Sequence, residues 1–176
     1  GLHARAGSHN LLALHGDLSR IVCLDCGQDE GRESLDARLD AANPGYLDRL
    51  EGRDLRVNPD GDVELDQRYI QDFRMVPCLG CGSTRLKPDV VYFGESVPAE
   101  RKARKDAMLA ECSALLVVGS SVAVMSGYKI VLEALRAGKP VAVINGGPGR
   151  ADAKATFLWR TGVGEALELM LDAIDS

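Results

Sequence analysis

Residues 13–27 read ALHGDLSRIVCLDCG, and they set Cys23 and Cys26 two residues apart with Gly27 directly behind. The same arrangement returns downstream as CLGCG, with Cys78, Cys81 and Gly82. Two residues between thiolates let one tight turn aim both sulfurs at a single ion, and a glycine behind the turn takes a backbone conformation that would strain another residue. Two such knuckles complete a tetrahedron of soft ligands, which suits zinc. Cys23, Cys26, Cys78 and Cys81 are therefore the expected metal ligands. A site filled by four cysteines leaves no open position, so the ion is expected to hold structure and not to activate water. His15 is then not needed as a ligand, and its residue type leaves two readings open, a proton acceptor or a satisfied structural ring.

Between the knuckles the sequence changes character. Residues 28–74 are rich in Asp, Arg, Glu and turn formers, including ANPG and NPDGD, with a short helical stretch in SLDARLDAA. Such a segment has little to bury, and a metal would have to hold its ends together. The fifth cysteine, Cys112, precedes an apolar run and reads as a small core residue. An odd count of five cysteines fits a four-thiolate site plus one thiol better than a disulfide framework.

The second half alternates strand and helix. ALLVVGSS (114–121) is a continuous apolar run ending in small polar residues, the pattern of a buried parallel strand entering a loop. GYKIVLEALRAG (127–138) has helical spacing and a glycine stop, and KPVAVINGGPG (139–149) reads as a second buried strand. ATFLWRT (155–161) is expected as a third strand and VGEALELMLDAI (163–174) as a closing amphipathic helix. Strand, helix, strand implies an α/β fold with a parallel sheet, in which ligands sit beyond the carboxyl ends of the strands. Both Gly-Ser-Ser (119–121) and Asn-Gly-Gly (145–147) fall there.

The totals narrow the class. A chain of 176 residues with 45% hydrophobic content is long enough for one domain carrying an appendage. Its 26 acidic against 21 basic residues argue against broad contact with a nucleic-acid backbone. No run approaches the ~18 apolar residues that would span a bilayer, so no membrane partner is expected.

GLHARAGSHNLLALHGDLSRIVCLDCG, CLGCGSTRLKPDVVYFGESVP, LLVVGSSVAVMSGY, VAVINGGPGRAD and GVGEALELML occur in that order and together resemble the sirtuins, the NAD-dependent protein lysine deacylases. The knuckle, the long insert and VVGSSVAVMSGY are most similar to the class II, sirtuin-4-like branch. The resemblance implies a Rossmann-like parallel sheet, partial because the family's N-terminal strands are missing, with a small zinc-binding module inserted. Segments 1–20 and 84–176 would form the NAD-binding domain and 21–83 the zinc module.

It also implies roles. His15 would be the catalytic base that takes a proton from a ribose hydroxyl after nicotinamide leaves, a task suited to a side chain whose ordinary pKa is about 6.5. His3 would be structural. Gly119, Ser120 and Ser121 would admit phosphate and ribose, Asn145, Gly146 and Gly147 the adenosine ribose, and Val163 would lie by the adenine. DVVYFGE (89–95) would be the strand on which an acyl-lysine peptide adds, with Val91, Phe93, Gly94, Glu95 and, from the other side, Val124 at the substrate. Met125 and Ser126 depart from the family's aromatic-proline pair.

The expected cofactors are NAD and one structural Zn2+, and the expected partner is an acyl-lysine protein or peptide. The family's phosphate-binding N-terminal portion is not in the sequence, so activity of these residues alone is expected to be impaired. Mono-ADP-ribosyl transfer and a non-catalytic zinc-containing protein-binding module are the alternatives. The setting would be cytoplasmic for a bacterial protein or the mitochondrial matrix for a eukaryotic one.

Overall fold

The computed structural model describes residues 1–50 and 67–175, and the NPDGD run lies outside them. The chain divides into two compact units, Gly1–Ser96 and Val97–Ser176. Among the described residues no helix is long and apolar enough to cross a membrane.

In the first unit the order is α1 (Leu2–Arg5), β1 (Gly16–Cys23), β2 (Asp29–Gly31), α2 (Arg32–Ala42), α3 (Gln67–Asp72) and β3 (Leu86–Val90). The strands form an antiparallel sheet in the order β2-β1-β3. Ile21, Leu35 and Val76 make a small core, with Leu39, Ala42 and Leu86 packed against it. Leu35, Leu39 and Ala42 recur at helical spacing, which gives α2 one apolar face. Polar bonds do much of the remaining work. Buried Asn43 donates its amide to the carbonyls of Leu39 (2.8 Å) and Arg74 (2.9 Å) and accepts the Arg74 N–H at 2.7 Å. Tyr46 and Phe73 meet edge to face at 4.9 Å.

One expected element is displaced. The strand read at 89–95 is observed at Leu86–Val90, and only Val91 continues its pairing, donating its N–H to the His15 carbonyl at 2.8 Å. The cause is Glu95. Its carboxylate accepts the Tyr92 N–H at 3.0 Å and pairs with Lys87 Nζ, while its own N–H donates to the Tyr92 carbonyl, so residues 92–95 turn back on the strand.

The second unit holds α4 (Ala99–Glu111), β4 (Leu115–Val118), α5 (Met125–Arg136), β5 (Val141–Ile144), a 3-10 turn (Asp152–Lys154), β6 (Phe157–Trp159) and α6 (Val163–Ile174). Its three strands are parallel in the order β4-β5-β6. The apolar runs at 114–121 and 139–149, the third strand and the closing helix all form as expected, each strand shorter than its apolar run. The core is Val117, Tyr128, Val131, Ala134, Val141, Val143 and Ala151. Helix α5 ends in paired bonds from Gly138 N–H to Leu135 O and Lys139 N–H to Ala134 O, both 3.0 Å, which satisfy its last carbonyls. Helix α4 has no fully buried residue. Its last turn is closed from outside, by Lys139 Nζ donating to the carbonyls of Leu109 (2.5 Å), Ala110 (3.0 Å) and Cys112 (2.5 Å).

The join of β1 and β3 depends on a missing side chain. Gly16 pairs with Val90 at φ +98°, and a Cβ there would stand 1.8 Å from the Asp89 carbonyl oxygen. Gly16→Ala is expected to lower stability by about 2–4 kcal/mol, against about 1 kcal/mol for Gly7→Ala, where φ is also positive but the space is open. Chemical denaturation of the two variants checks this, and equal losses would refute the steric argument.

Candidate functional site

The two cysteine knuckles are built alike, bond for bond. Gly27 N–H donates to Cys23 O at 2.9 Å and Gly82 N–H to Cys78 O at 3.0 Å, while Cys23 N–H reaches Gln28 O at 2.9 Å and Cys78 N–H reaches Ser83 O at 2.7 Å. Gly27 and Gly82 take φ of +74° and +75°, the left-handed turn that residue type allows. Asp25 joins the two knuckles by accepting from Ser83 Oγ and from Arg85 Nη1 (2.5 Å), and Leu24 N–H donates to Arg85 O at 2.9 Å.

The result is a cluster. All four sulfurs lie within 4.8 Å of one another, with Cys23 to Cys81 at 3.6 Å and Cys26 to Cys78 at 3.7 Å. A tetrahedron with metal–sulfur bonds of ~2.3 Å has edges of about 3.8 Å. Charge makes the same case. The N–H groups of Cys26 and Asp25 draw the Cys23 thiol down to about 7. At Cys81 the Ser83 N–H also favours the thiolate, but the nearby Cys26 and Cys23 sulfurs outweigh it and push that thiol up to about 12. Once one thiolate forms, its neighbours resist ionisation unless a cation joins them. The cluster thus fits a soft metal ion held by Cys23, Cys26, Cys78 and Cys81.

In the second unit, parallel pairing brings three strand ends to one edge. Strand β4 runs into Gly119-Ser120-Ser121, β5 into Asn145-Gly146-Gly147 and β6 into the loop before α6. Gly119 N–H donates to Ile144 O at 2.9 Å and Asn145 N–H to Trp159 O at 3.2 Å, so neighbouring loops leave the sheet in step. A Cβ on Gly119 would lie 3.2 Å from Val163 Cγ2, and one on Gly146 would lie 3.5 Å from Thr161 O. Gly119, Ser120, Ser121, Asn145, Gly146, Gly147 and Val163 thus share one edge, lined with small side chains and backbone. Val124, about half exposed, directly precedes α5 as its N-cap.

His15 stands in the first unit, exposed at the entry to β1, with its carbonyl bonded to Val91. Phe93 is 99% exposed at the turn beyond β3, beside Gly94. Glu95 is engaged with Lys87, which draws its carboxyl below the ordinary range.

Comparison with known proteins adds a name to this geometry. A match to the Sir2 family covers residues 1–126. The chain belongs to the Sir2 family. It is 63% identical over 175 residues to an NAD-dependent protein deacetylase 1 of Corynebacterium efficiens, covering 99% of this chain and 62% of that protein. It is 39% identical over 169 residues to the human NAD-dependent protein lipoamidase sirtuin-4, mitochondrial, covering 96% of this chain and 52% of that one. Among solved structures, one from work on the mechanism and regulation of Sir2 enzymes aligns with a TM-score of 0.67 at 25% identity, over 99% of this chain and 58% of its own. A Sir2 bound to acetylated peptide shares the fold with a TM-score of 0.68 at 24% identity, over 99% and 60%. The chain spans between about half and two-thirds of the length of these relatives.

Some residues at the Sir2 loop edge carry no sequence signal. Arg160 donates from Nη1 to the carbonyls of Gly147 and Asn145 (3.4 Å) and from Nη2 to Asp152 Oδ2 at 2.8 Å, which also accepts the Gly149 N–H at 2.7 Å. These partners are 3 to 15 positions apart in sequence, so no local pattern announces them. Arg150 belongs to the same group.

The metal reading has a direct check. Titration with Co2+ is expected to saturate at one ion per chain with thiolate-to-cobalt absorption, and Cys26→Ser and Cys81→Ser are each expected to weaken uptake by at least tenfold. Unchanged uptake in both variants would refute the cluster as the site.

Proposed function

We propose that this chain is the greater part of an NAD-dependent protein lysine deacylase, converting acyl-lysine and NAD to lysine, nicotinamide and O-acyl-ADP-ribose. The observation that carries the proposal is the loop edge of the parallel sheet. Small residues at 119–121 and 145–147 leave backbone amides and hydroxyls open to a nucleotide, with Val163 as an apolar neighbour for its base. The names of the relatives, deacetylase and lipoamidase, support the reaction class.

In this reading the residues divide the work. His15 accepts the proton from a ribose hydroxyl, a role that its exposure at the entry to β1 supports. Ser120 and Ser121 donate to phosphate and ribose oxygens, and Asn145 holds the adenosine ribose. Val91 and Gly94 offer backbone bonds to an acyl-lysine peptide, Phe93 covers the acyl chain, and Glu95 and Val124 flank it. The exposure of Phe93 supports that role, since a bare aromatic ring gains most from a covering ligand. The ion in the four-cysteine cluster is zinc, holding structure. Segments 1–20 and 84–176 then make up the NAD-binding domain and 21–83 the zinc module.

The test uses a polypeptide that carries this chain at the length of its relatives. His15→Ala is expected to lower kcat by about 10²–10⁴ while leaving the melting temperature nearly unchanged. Mass analysis of the products should find O-acyl-ADP-ribose. Wild-type turnover in the variant, or ADP-ribose left on the protein, would overturn the assignment.

A further inference from the structure

The turn after β4 holds an unusual backbone. Val122 has φ +42°, and it is the non-glycine residue with positive φ among the described residues. A β-branched side chain disfavours that region strongly, so something outside the turn must impose it. Part of the restraint is local, since Ser120 Oγ accepts the Val122 N–H at 3.1 Å. The rest comes from the neighbouring loop. Arg150 donates its backbone N–H to Ser121 O at 2.8 Å and its Nη1 to Ala123 O at 3.2 Å, so it grips the turn on both sides of Val122. Its guanidinium lies 4.4 Å over the ring of Tyr128, a buried residue of α5, and this fixes the direction of the grip.

Gly149 lets the loops close to this distance. A Cβ there would lie 3.3 Å from Ser121 O, 3.4 Å from Ser121 Cα and 3.1 Å from Asp152 Oδ1. Asp152 and Arg160 in turn hold the far side of the same loop.

We propose that Arg150 is a positioning residue: it holds the Ser120–Ala123 turn in its strained shape from the adjacent loop, so that Ser120 and Ser121 stand preset for a nucleotide's phosphate and ribose. The second half of that statement rests on the nucleotide reading given above. The first half does not. Arg150 is an exposed residue outside the apolar core of its unit. Removing its side chain therefore loosens a turn without emptying a cavity, and its effect on binding separates from its effect on folding.

The experiment uses a polypeptide that carries this chain at the length of its relatives and compares it with its Arg150→Ala, Arg150→Lys and Val122→Gly variants, reading ADP-ribose binding by calorimetry and backbone amide exchange by NMR. Arg150→Ala is expected to weaken ADP-ribose binding about ten- to hundredfold and to speed exchange at Val122, with amides of β4 and β5 unchanged. Arg150→Lys keeps the charge and loses the planar stack, so an intermediate effect is expected. In a Val122→Gly background, where positive φ costs little, the Arg150→Ala effect should shrink. Wild-type exchange in Arg150→Ala, or faster exchange spread evenly over the sheet, would overturn the positioning role. If the wild-type polypeptide at the length of the relatives takes up no ADP-ribose while the local exchange effect appears, the brace stands and the nucleotide reading falls. Should Arg150→Ala fail to fold, Arg150→Lys against wild type decides by the same two readouts.

Discussion

Four sulfur atoms within 4.8 Å of one another cannot all be anions without a cation among them, and the first unit is organised around that constraint. The first knuckle closes β1 and the second opens the path into β3, and these strands pair at Cys23 and Leu86. A bound ion would therefore tie together the ends of a long polar insert at the point where the sheet is most regular. The small core of Ile21, Leu35 and Val76 is too modest to do this alone, and at about 25 cal/mol per Å2 a few side chains of this size offset only a little of the ordering entropy. The polar bonds of Asn43, and the pair between Arg38 and Glu30 with Arg38 also donating to Pro77 O at 2.8 Å, fix geometry more than they add stability.

The second unit follows different rules. Its strands are apolar, with burial concentrated in β5, and parallel pairing alone places their carboxyl ends along one edge. Helix α5 covers the sheet through Tyr128, Val131 and Ala134, the last with no exposed surface. Lys139 links the ends of two helices: its N–H completes the close of α5 while its ammonium satisfies the last carbonyls of α4. That dual use explains how α4 is held with no fully buried side chain of its own.

How much of this was legible depended on whether the signal was local. The knuckles could be read because metal ligation needs a residue type at a fixed spacing, and Cys-x-x-Cys supplies both. The strands at Leu115–Val118 and Val141–Ile144 could be read because each is written as a continuous apolar run, though only the second is buried along most of its length, and α6 because its pattern is periodic. Helix α4 was illegible for the opposite reason, being mostly charged and stabilised by Lys105 with Glu133 and by Lys139 from distant positions. The strand at Leu86–Val90 was misplaced because the expectation for 89–95 came from the family resemblance, which does not reveal the terminating contact between Glu95 and Lys87. Of the loop edge, the small residues could be read, while Arg150 and Arg160, which shape it, could not.

The division between small residues and distant arginines has a physical cause. On the nucleotide reading proposed above, a loop that must bring its backbone within hydrogen-bond reach of a ligand cannot fill that space with side chains of its own, so Gly119, Ser120, Ser121, Gly146 and Gly147 would have little with which to fix their shape. Left alone, such a loop would be ordered only at binding, at a cost of about 1–2 kcal/mol per residue. Holding it from behind moves that cost into folding. Val122 in the left-handed region adds strain of about 1–3 kcal/mol, comparable to what two hydrogen bonds and one guanidinium–ring contact from Arg150 can offset. The near balance means the turn keeps its shape only while both loops are in place, which couples the two loops of that edge to each other.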